Sequence, residues 1–325
     1  MLQKFLRQRF FVVLMLLFLM LIFFGITQQQ FFTPANLSVI LTSSSILWVT
    51  AMGLTFVMLA GGFDLSVGSM MALSGIALGW FFNHLHVNIF IAIVMTILFG
   101  LIVGGLINGL AVGKFGLSFL VITLGSSTLF TGATQWWSGT KTTLVNAPWL
   151  QTLAYGKVWI VPNQVIVMLS VFAVLLYVQN YTLFGRDIYA IGGNVEAAKL
   201  SGIKTSRVLI TVYALAGAFA ALGGVLQVSR IAASSPQVGA NLIFIATAAV
   251  LLGGTSFSGG VGGVTGTVVG TLFLGVLQNG LQVAGIADYW QQIITGVILI
   301  GAIALDLVQR KSSHKKGPAV QKSIK

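Results

Sequence analysis

Three features of the chain point to an all-α, polytopic bundle of about ten helices embedded in a bilayer. Only 7% of its 325 residues are charged while 57% are hydrophobic, with a mean hydropathy of +0.99; a soluble domain carries about a quarter charged residues. Uncharged runs at 10–113 (broken by Asp64), 115–140, 158–185, 208–229 and 231–287 are each long enough for one or more crossings of roughly 20 apolar residues. Strand-like alternation is missing, so helices rather than a closed barrel must satisfy the backbone in lipid.

Taken in order, the apolar segments predict helices at 10–26, 38–60, 66–82, 89–113, 117–137, 164–182, 209–228, 243–255, 262–284 and 289–307. The first follows Lys4, Arg7 and Arg9 and superficially resembles a signal peptide. It lacks a small-residue cleavage site before the polar 27–30, so it is read as a retained helix. The segments at 66–82 and 243–255 are short; if either is re-entrant, the number of crossings falls to as few as eight. An even number puts both termini on one side. With the N-terminus inside, 14 of the 17 basic residues are cytoplasmic, and only Lys141, Lys157 and Arg230 face outward. That asymmetry obeys the positive-inside rule, and the opposite orientation would invert it. The expected organisation is a cytoplasmic N-terminus (1–9), a transmembrane domain (10–308) interrupted by a cytoplasmic loop (183–208), and a basic cytoplasmic tail (309–325).

The formal charge of +12 therefore reads as topology and lipid-headgroup contact, not as a nucleic-acid surface. The absence of cysteine excludes disulfides and thiolate metal sites. Glycine is abundant, with 39 copies. Gly105, Gly109 and Gly113 fall four apart, as do Gly262, Gly266 and Gly270, a spacing that lets helices approach closely in lipid, either inside one bundle or between subunits. A partial internal echo relates TFVMLAGGFDLSVGS (55–69) to TAAVLLGGTSFSGGV (247–261), and NGL recurs at 108–110 and 279–281. Paired helix breaks of this kind are where a transporter builds its pathway.

Asp64 is the only carboxylate or ammonium between Arg9 and Lys114. Three roles fit it: a cap for the amides of Ser66 or Val67, a charged latch pairing with Lys114 or a partner's arginine, or a contact to substrate. Asn108, Gln278, Asn279 and Gln282 sit near helix ends, with Gln278 and Gln282 on one face. Their amides suit either interhelical hydrogen bonds or sugar hydroxyls. Trp136, Trp137, Trp149 and Trp159 flank the outward loop 138–162 as an interfacial belt, and His84 and His86 read as solvated. In the cytoplasmic loop, Arg186, Asp187, Glu196, Lys199, Lys204 and Arg207 require water. Asn194 is placed to cap a short helix ended by Gly202, and Ala197 with Ala198 leaves a flat face for a partner.

The ordered blocks AGGFDLSVGS, NGLAVGKFGLSFLVITLG, GRDIYAIGGNVEAAKLSGI and VLLGGTSFSGGVGGVTGTVVG resemble the membrane permease family of bacterial ABC importers for ribose, xylose, galactose and autoinducer-2, from about Asn36 to Asp306. Glu196–Ala198 followed by Gly202 resembles the EAA loop through which importer permeases engage their ATPases. The resemblance implies a permease subunit in the bacterial cytoplasmic (inner) membrane, paired with a second permease in a homo- or heterodimer. It also implies a cytosolic ABC ATPase that consumes ATP and Mg, and an extracytoplasmic sugar-binding protein. No cofactor, metal or catalytic residue is expected in this chain itself. One departure stands out: where the family reads like E-L-D-A-I-A-A, this chain has Ile243-Phe244-Ile245-Ala246-Thr247-Ala248-Ala249, which points to a heteromeric partner supplying the missing acids. The rival reading, an ion-coupled carrier, requires carboxylates or histidines inside the bundle, and Asp64 alone is available. A membrane enzyme would need a nucleophile–base motif that the chain lacks.

Overall fold

The computed structural model describes residues 11–315. The expected cytoplasmic N-terminus and the end of the basic tail lie outside the described residues. All ten expected segments are helical: α1 (Phe11–Thr27), α2 (Pro34–Leu59), α3 (Val67–His84), α4 (Ile89–Val103) continued by a π-helical segment (Gly104–Lys114), α5 (Phe119–Ser138), α7 (Asn163–Tyr181), α10 (Thr205–Ile231), α11 (Leu242–Leu252), α12 (Val264–Val283) and α13 (Asp288–Lys315). Short helices α6 (Pro148–Tyr155), α8 (Leu183–Gly193) and α9 (Val195–Leu200) lie in the two long loops. By length and hydropathy, α2, the continuous Ile89–Lys114 helix, α7, α10 and α12 each suffice to cross a membrane. The helix of α13 runs to Lys315, into the segment expected as tail. The sequence there is apolar up to Leu305, carries Asp306, and turns basic from Arg310, so the helix continues past the hydrophobic run into a water-compatible end.

Helix α10 is the hub, packed against α2, α3, α4 and the π-helical segment. Its small residues permit this: Ala216, Gly217, Ala220, Ala221, Gly223 and Gly224 are all buried or nearly so, and a row of glycines faces them. A Cβ at Gly104 would lie 2.7 Å from Tyr213 O, at Gly109 3.0 Å from Ile210 O, and at Gly113 2.9 Å from Ser206 O. Gly100 meets Gly217 O in the same manner. The facing glycines are spaced 4, 5 and 4 apart, wider than the 3.6 residues of an α-helix. The i→i+5 bonding of a π-helix widens the turn accordingly: the Phe115 N–H donates to Leu110 O at 3.1 Å. On the second glycine row, Gly266 abuts Gly253 and Gly270 abuts Ala249, while Gly262 packs on Thr255 within its own loop. Both rows thus serve packing within one bundle.

Helix α11 has 11 residues, about 16 Å of rise, roughly half of a 30 Å hydrocarbon core. The other half of that passage is not helical. Ser234 packs on Gly79 of α3, whereas Gly239 packs on Gly68 of the same helix, so segment 234–239 descends α3 by 11 residues, again about 16 Å. Irregular backbone at such depth survives only where protein covers it or a water-filled cavity adjoins it. The expected eighth crossing is therefore a half-helix preceded by an irregular, turn-rich descending segment.

The two ends of the bundle are built differently. At one, the expected outward loop 138–162 is a folded cap: β1 (Thr143–Leu144) pairs antiparallel with β4 (Ala233–Ser234), and β2 (Lys157–Val158) with β3 (Val161–Pro162). Tyr155 Oη donates to Arg230 O at 2.6 Å and Asn83 Nδ2 to Leu144 O at 2.9 Å. Trp136 and Trp159 are exposed there, as an interfacial belt requires, while Trp137 packs on Trp80, Phe81 and Phe99. His84 and His86 are exposed, His84 stacking on Trp80. At the other end, loops 60–66, 183–204 and 253–263 converge.

Candidate functional site: a polar cavity, a buried carboxylate cluster and a coupling segment

The six polar residues singled out along the pathway fall into two separate places. Asp64, Ser66 and Asn108 form one cluster, each no more than 3% exposed. Asp64 Oδ1 accepts from the Ser66 N–H at 2.8 Å and from Ser66 Oγ at 2.6 Å. Asn108 Nδ2 donates to Ser66 Oγ at 2.8 Å and reaches both Asp64 oxygens at 3.4 Å. The contact to the Ser66 N–H, one of the two amides expected for Asp64, closes a turn two residues on, just ahead of α3, whose N-cap is Ser66. Lys114 forms no ion pair with Asp64 among the described residues, because it lies at the end of the π-helical segment, six residues beyond Asn108. Tyr213 Oη donates to Phe63 O at 3.3 Å, closing the loop from the other side.

Gln278, Asn279 and Gln282 lie elsewhere, along a cavity of about 440 Å³ between α2, α3, α10, α12 and the descending segment 237–241. Sequence reasoning missed most of its wall: Gln227, Arg230, Gln237, Asn241 and Gln291 also line it. The available signal was that amides recur at the same ends of successive apolar runs. Asn279 is partly committed to structure, exchanging two 2.9 Å hydrogen bonds with Asn36. Ile245, one of the two positions where the resembling family is acidic, lines this cavity, while Ile243 is buried beside Gly68. The cavity continues into a second of about 430 Å³ along α13, lined by Asn241, Gln278, Asp288, Gln291, Gln292 and Thr295 among others.

The cytoplasmic loop folds as a helix pair. Asn194 Oδ1 accepts from the Ala197 N–H at 3.0 Å, capping α9. Gly202 adopts φ +82° just past its end, as a C-terminal glycine does. Nothing lies within 4 Å of a Cβ at Gly202, so its role is backbone conformation and not close approach. The expected flat Ala197–Ala198 face does not exist: Ala198 is buried and Ala197 exposed, since neighbours on a helix point about 100° apart. The outward face is instead Ala197 and Leu200, the latter 91% exposed, a residue the sequence reading passed over. Arg186 and Glu196 are exposed, and Glu196 pairs with Lys199 at 2.8 Å. Tyr189 Oη donates to Gly262 O at 2.7 Å; burial pushes its phenol above the usual range, which keeps it a neutral donor.

A multi-pass helical bundle with a half-helix beside a polar cavity, and a capped helix pair at one end, defines a membrane transport subunit. The chain belongs to the family described as branched-chain amino acid transport system, permease component, matched over residues 36–303. It is 36% identical over 280 residues to the ribose import permease protein RbsC of Escherichia coli strain K12, covering 85% of this chain and 87% of that protein. It is 37% identical over 290 residues to the ribose import permease protein RbsC of Bacillus subtilis strain 168, covering 86% and 87%. The galactose/methyl galactoside import permease protein MglC of Escherichia coli strain K12 is 34% identical over 304 residues, covering 88% and 90%. No solved structure matches the chain.

Proposed function

We propose that the chain is the permease subunit of an ATP-driven sugar importer in the bacterial cytoplasmic membrane, passing a neutral ribose-like monosaccharide. The observation that carries this reading is the amide-lined cavity. Each sugar hydroxyl both donates and accepts, and so does each primary amide. Seven amide side chains converge on about 440 Å³, a volume suited to a small ligand. The family description mentions amino acids, but a zwitterion's ammonium calls for a carboxylate. None lines the main cavity, where Arg230 is the charged residue. A second permease completes the wall: the groove along α13 carries Asp288, Gln291 and Gln292 on an open side, and polar groups at membrane depth require cover from lipid. Ile245 in place of an acid favours a related chain over an identical copy as that partner. A cytosolic ATPase, using ATP and Mg, docks on the Ala197–Leu200 face, and an extracytoplasmic binding protein delivers the sugar; this chain itself holds no nucleotide or metal.

The test is uptake into proteoliposomes carrying the permease with its ATPase and binding protein. ATP-dependent accumulation of labelled ribose or galactose, with no accumulation of leucine, is the expected result. The Gln278→Ala/Gln282→Ala pair should lower it by roughly tenfold or more, the scale of a lost hydrogen bond or two. Leucine uptake in place of sugar would overturn the assignment.

A further inference from the structure

The two loops that echo each other in sequence are in contact. Gly260 N–H donates to Leu59 O at 2.9 Å, and Phe63 and Phe257 lie ring to ring at 5.3 Å. Gly192 of α8 is wedged between them: a Cβ on Gly259 would sit 2.7 Å from Gly61 N and 2.9 Å from Gly192 Cα, and one on Gly192 would strike Leu59 O. Contacts of backbone on backbone leave no slack, so displacement of α8 must displace both loops.

The loops are held differently. In the echo, Gly61–Gly62 aligns with Gly253–Gly254 and Asp64 with Ser256. Asp64 binds within its own loop, at Ser66. At the second loop the carboxylate arrives from 50 residues away: Asp306 of α13 accepts from Ser256 Oγ at 3.0 and 2.8 Å and from the Phe257 N–H at 3.3 Å. Asp306 is buried, at 9% exposure. The same helix carries Thr295, Gln292 and Gln291 along the polar groove, 11 to 15 residues away, or about 16–22 Å of rise.

We infer that Asp306 is a positioning residue that ties α13 to the Ser256 loop, so that motion of the α8–α9 segment is carried to the cavity wall. This rests on the importer reading. The tether adds a polar link between two rigid pieces, a glycine-packed junction and a helix; cutting it leaves each piece intact and weakens their linkage.

The experiment uses the reconstituted importer with Asp306→Ala, Ser256→Ala and the double variant, measuring sugar taken up per ATP hydrolysed. Gln292→Cys in each background reports the groove through its labelling rate with and without nucleotide. The expected result is normal assembly and ATP hydrolysis in Asp306→Ala, which removes both acceptor oxygens, uptake per ATP lower by roughly tenfold, and loss of the nucleotide-dependent change in labelling. The double variant should be no worse than Asp306→Ala alone, because Ser256→Ala removes a contact that Asp306→Ala already removes. An Asp306→Ala complex that is scarce yet fully coupled per assembled molecule would make the residue merely structural and overturn the inference. Wild-type coupling with unchanged labelling would overturn it as well. Absence of ATP-dependent uptake in the unaltered importer would overturn the importer reading, and the tether with it.

Discussion

Asp64 accepts the Ser66 N–H and hydroxyl inside a fully covered pocket, and no cation stands at bonding distance among the described residues. A carboxylate so placed acts first to close the turn ahead of α3, and an amide oxygen can accept from the same N–H. Asp64→Asn is therefore expected to reach the membrane at wild-type abundance and transport nearly normally, whereas Asp64→Ala should destabilise the bundle by about 0.5–2 kcal/mol. Thermal unfolding in detergent and uptake per assembled complex separate the two effects. Lost uptake at normal abundance in Asp64→Asn would instead reveal a gating charge, since a charge-assisted bond is about twice as strong as a neutral one. Gly202 gives a second residue-scale expectation. With open space around it and φ +82°, Gly202→Val should cost about 1–2 kcal/mol through backbone strain, while Gly202→Asn should be milder because Asn tolerates the left-handed region. Proteolysis of the loop between α8 and α10, faster in Gly202→Val than in Gly202→Asn, is the check.

Among elements, the π-helical segment shows where packing replaces hydrophobic driving force. In lipid, helices associate through close contact of small residues, and the glycine row of Gly100, Gly104, Gly109 and Gly113 lets one backbone lie on α10. Gly109→Leu, driven against Ile210, should lower stability by about 1–3 kcal/mol; Gly125→Ala on α5, with nothing within 4 Å, should stay within about 0.5 kcal/mol. Chemical denaturation in micelles measures both. This contrast also marks how far the sequence could be read. Ten helices were legible because each lies in an apolar run, most of them of spanning length, with basic residues sorted between runs. The cap on α9 was legible because Asn194 and Gly202 have local jobs. The π turn was not, since Gly105, Gly109 and Gly113 fit a four-residue row whether the helix is narrow or wide. The shortness of α11 was legible from its brief apolar run, 243–255; the course of segment 234–239 along α3 was not, because it is set by contacts with Gly79 and Gly68. Asp306 escaped notice because its partner Ser256 is 50 positions away, although Ser256 occupies Asp64's place in the echo. Of the cavity, Gln278, Asn279 and Gln282 were legible from their spacing; the amides of α10, α13 and the descending segment come together only in three dimensions.

At the scale of the molecule, two sets of loops occupy opposite ends. Hydrogen bonds link 83–144, 142–235 and 155–230 at one, and Gly61, Gly192 and Gly259 meet at the other. Single cysteines at Gln29, His84 and Thr143 should therefore react alike with an impermeant thiol reagent in intact cells, and one at Ser201 should react only after permeabilisation, as the charge asymmetry demands. The descending segment makes a sharper expectation. If 237–241 lines an aqueous cavity as irregular backbone, cysteines at Gln237, Val238, Ala240 and Asn241 should all react from the outer side. The rates should fall smoothly with depth as the cavity narrows toward Gly68. Sugar in excess should slow the reaction at Gln237 and Asn241, whose side chains are exposed along the cavity. A continuous transmembrane helix through the same residues would behave otherwise, because only one face could meet water and reactivity would recur every three or four positions. Reactivity confined to such a stripe would mean that the eighth passage is an ordinary crossing, and would remove the half-helix that places Asn241 and Gln237 opposite Gln278 and Gln282.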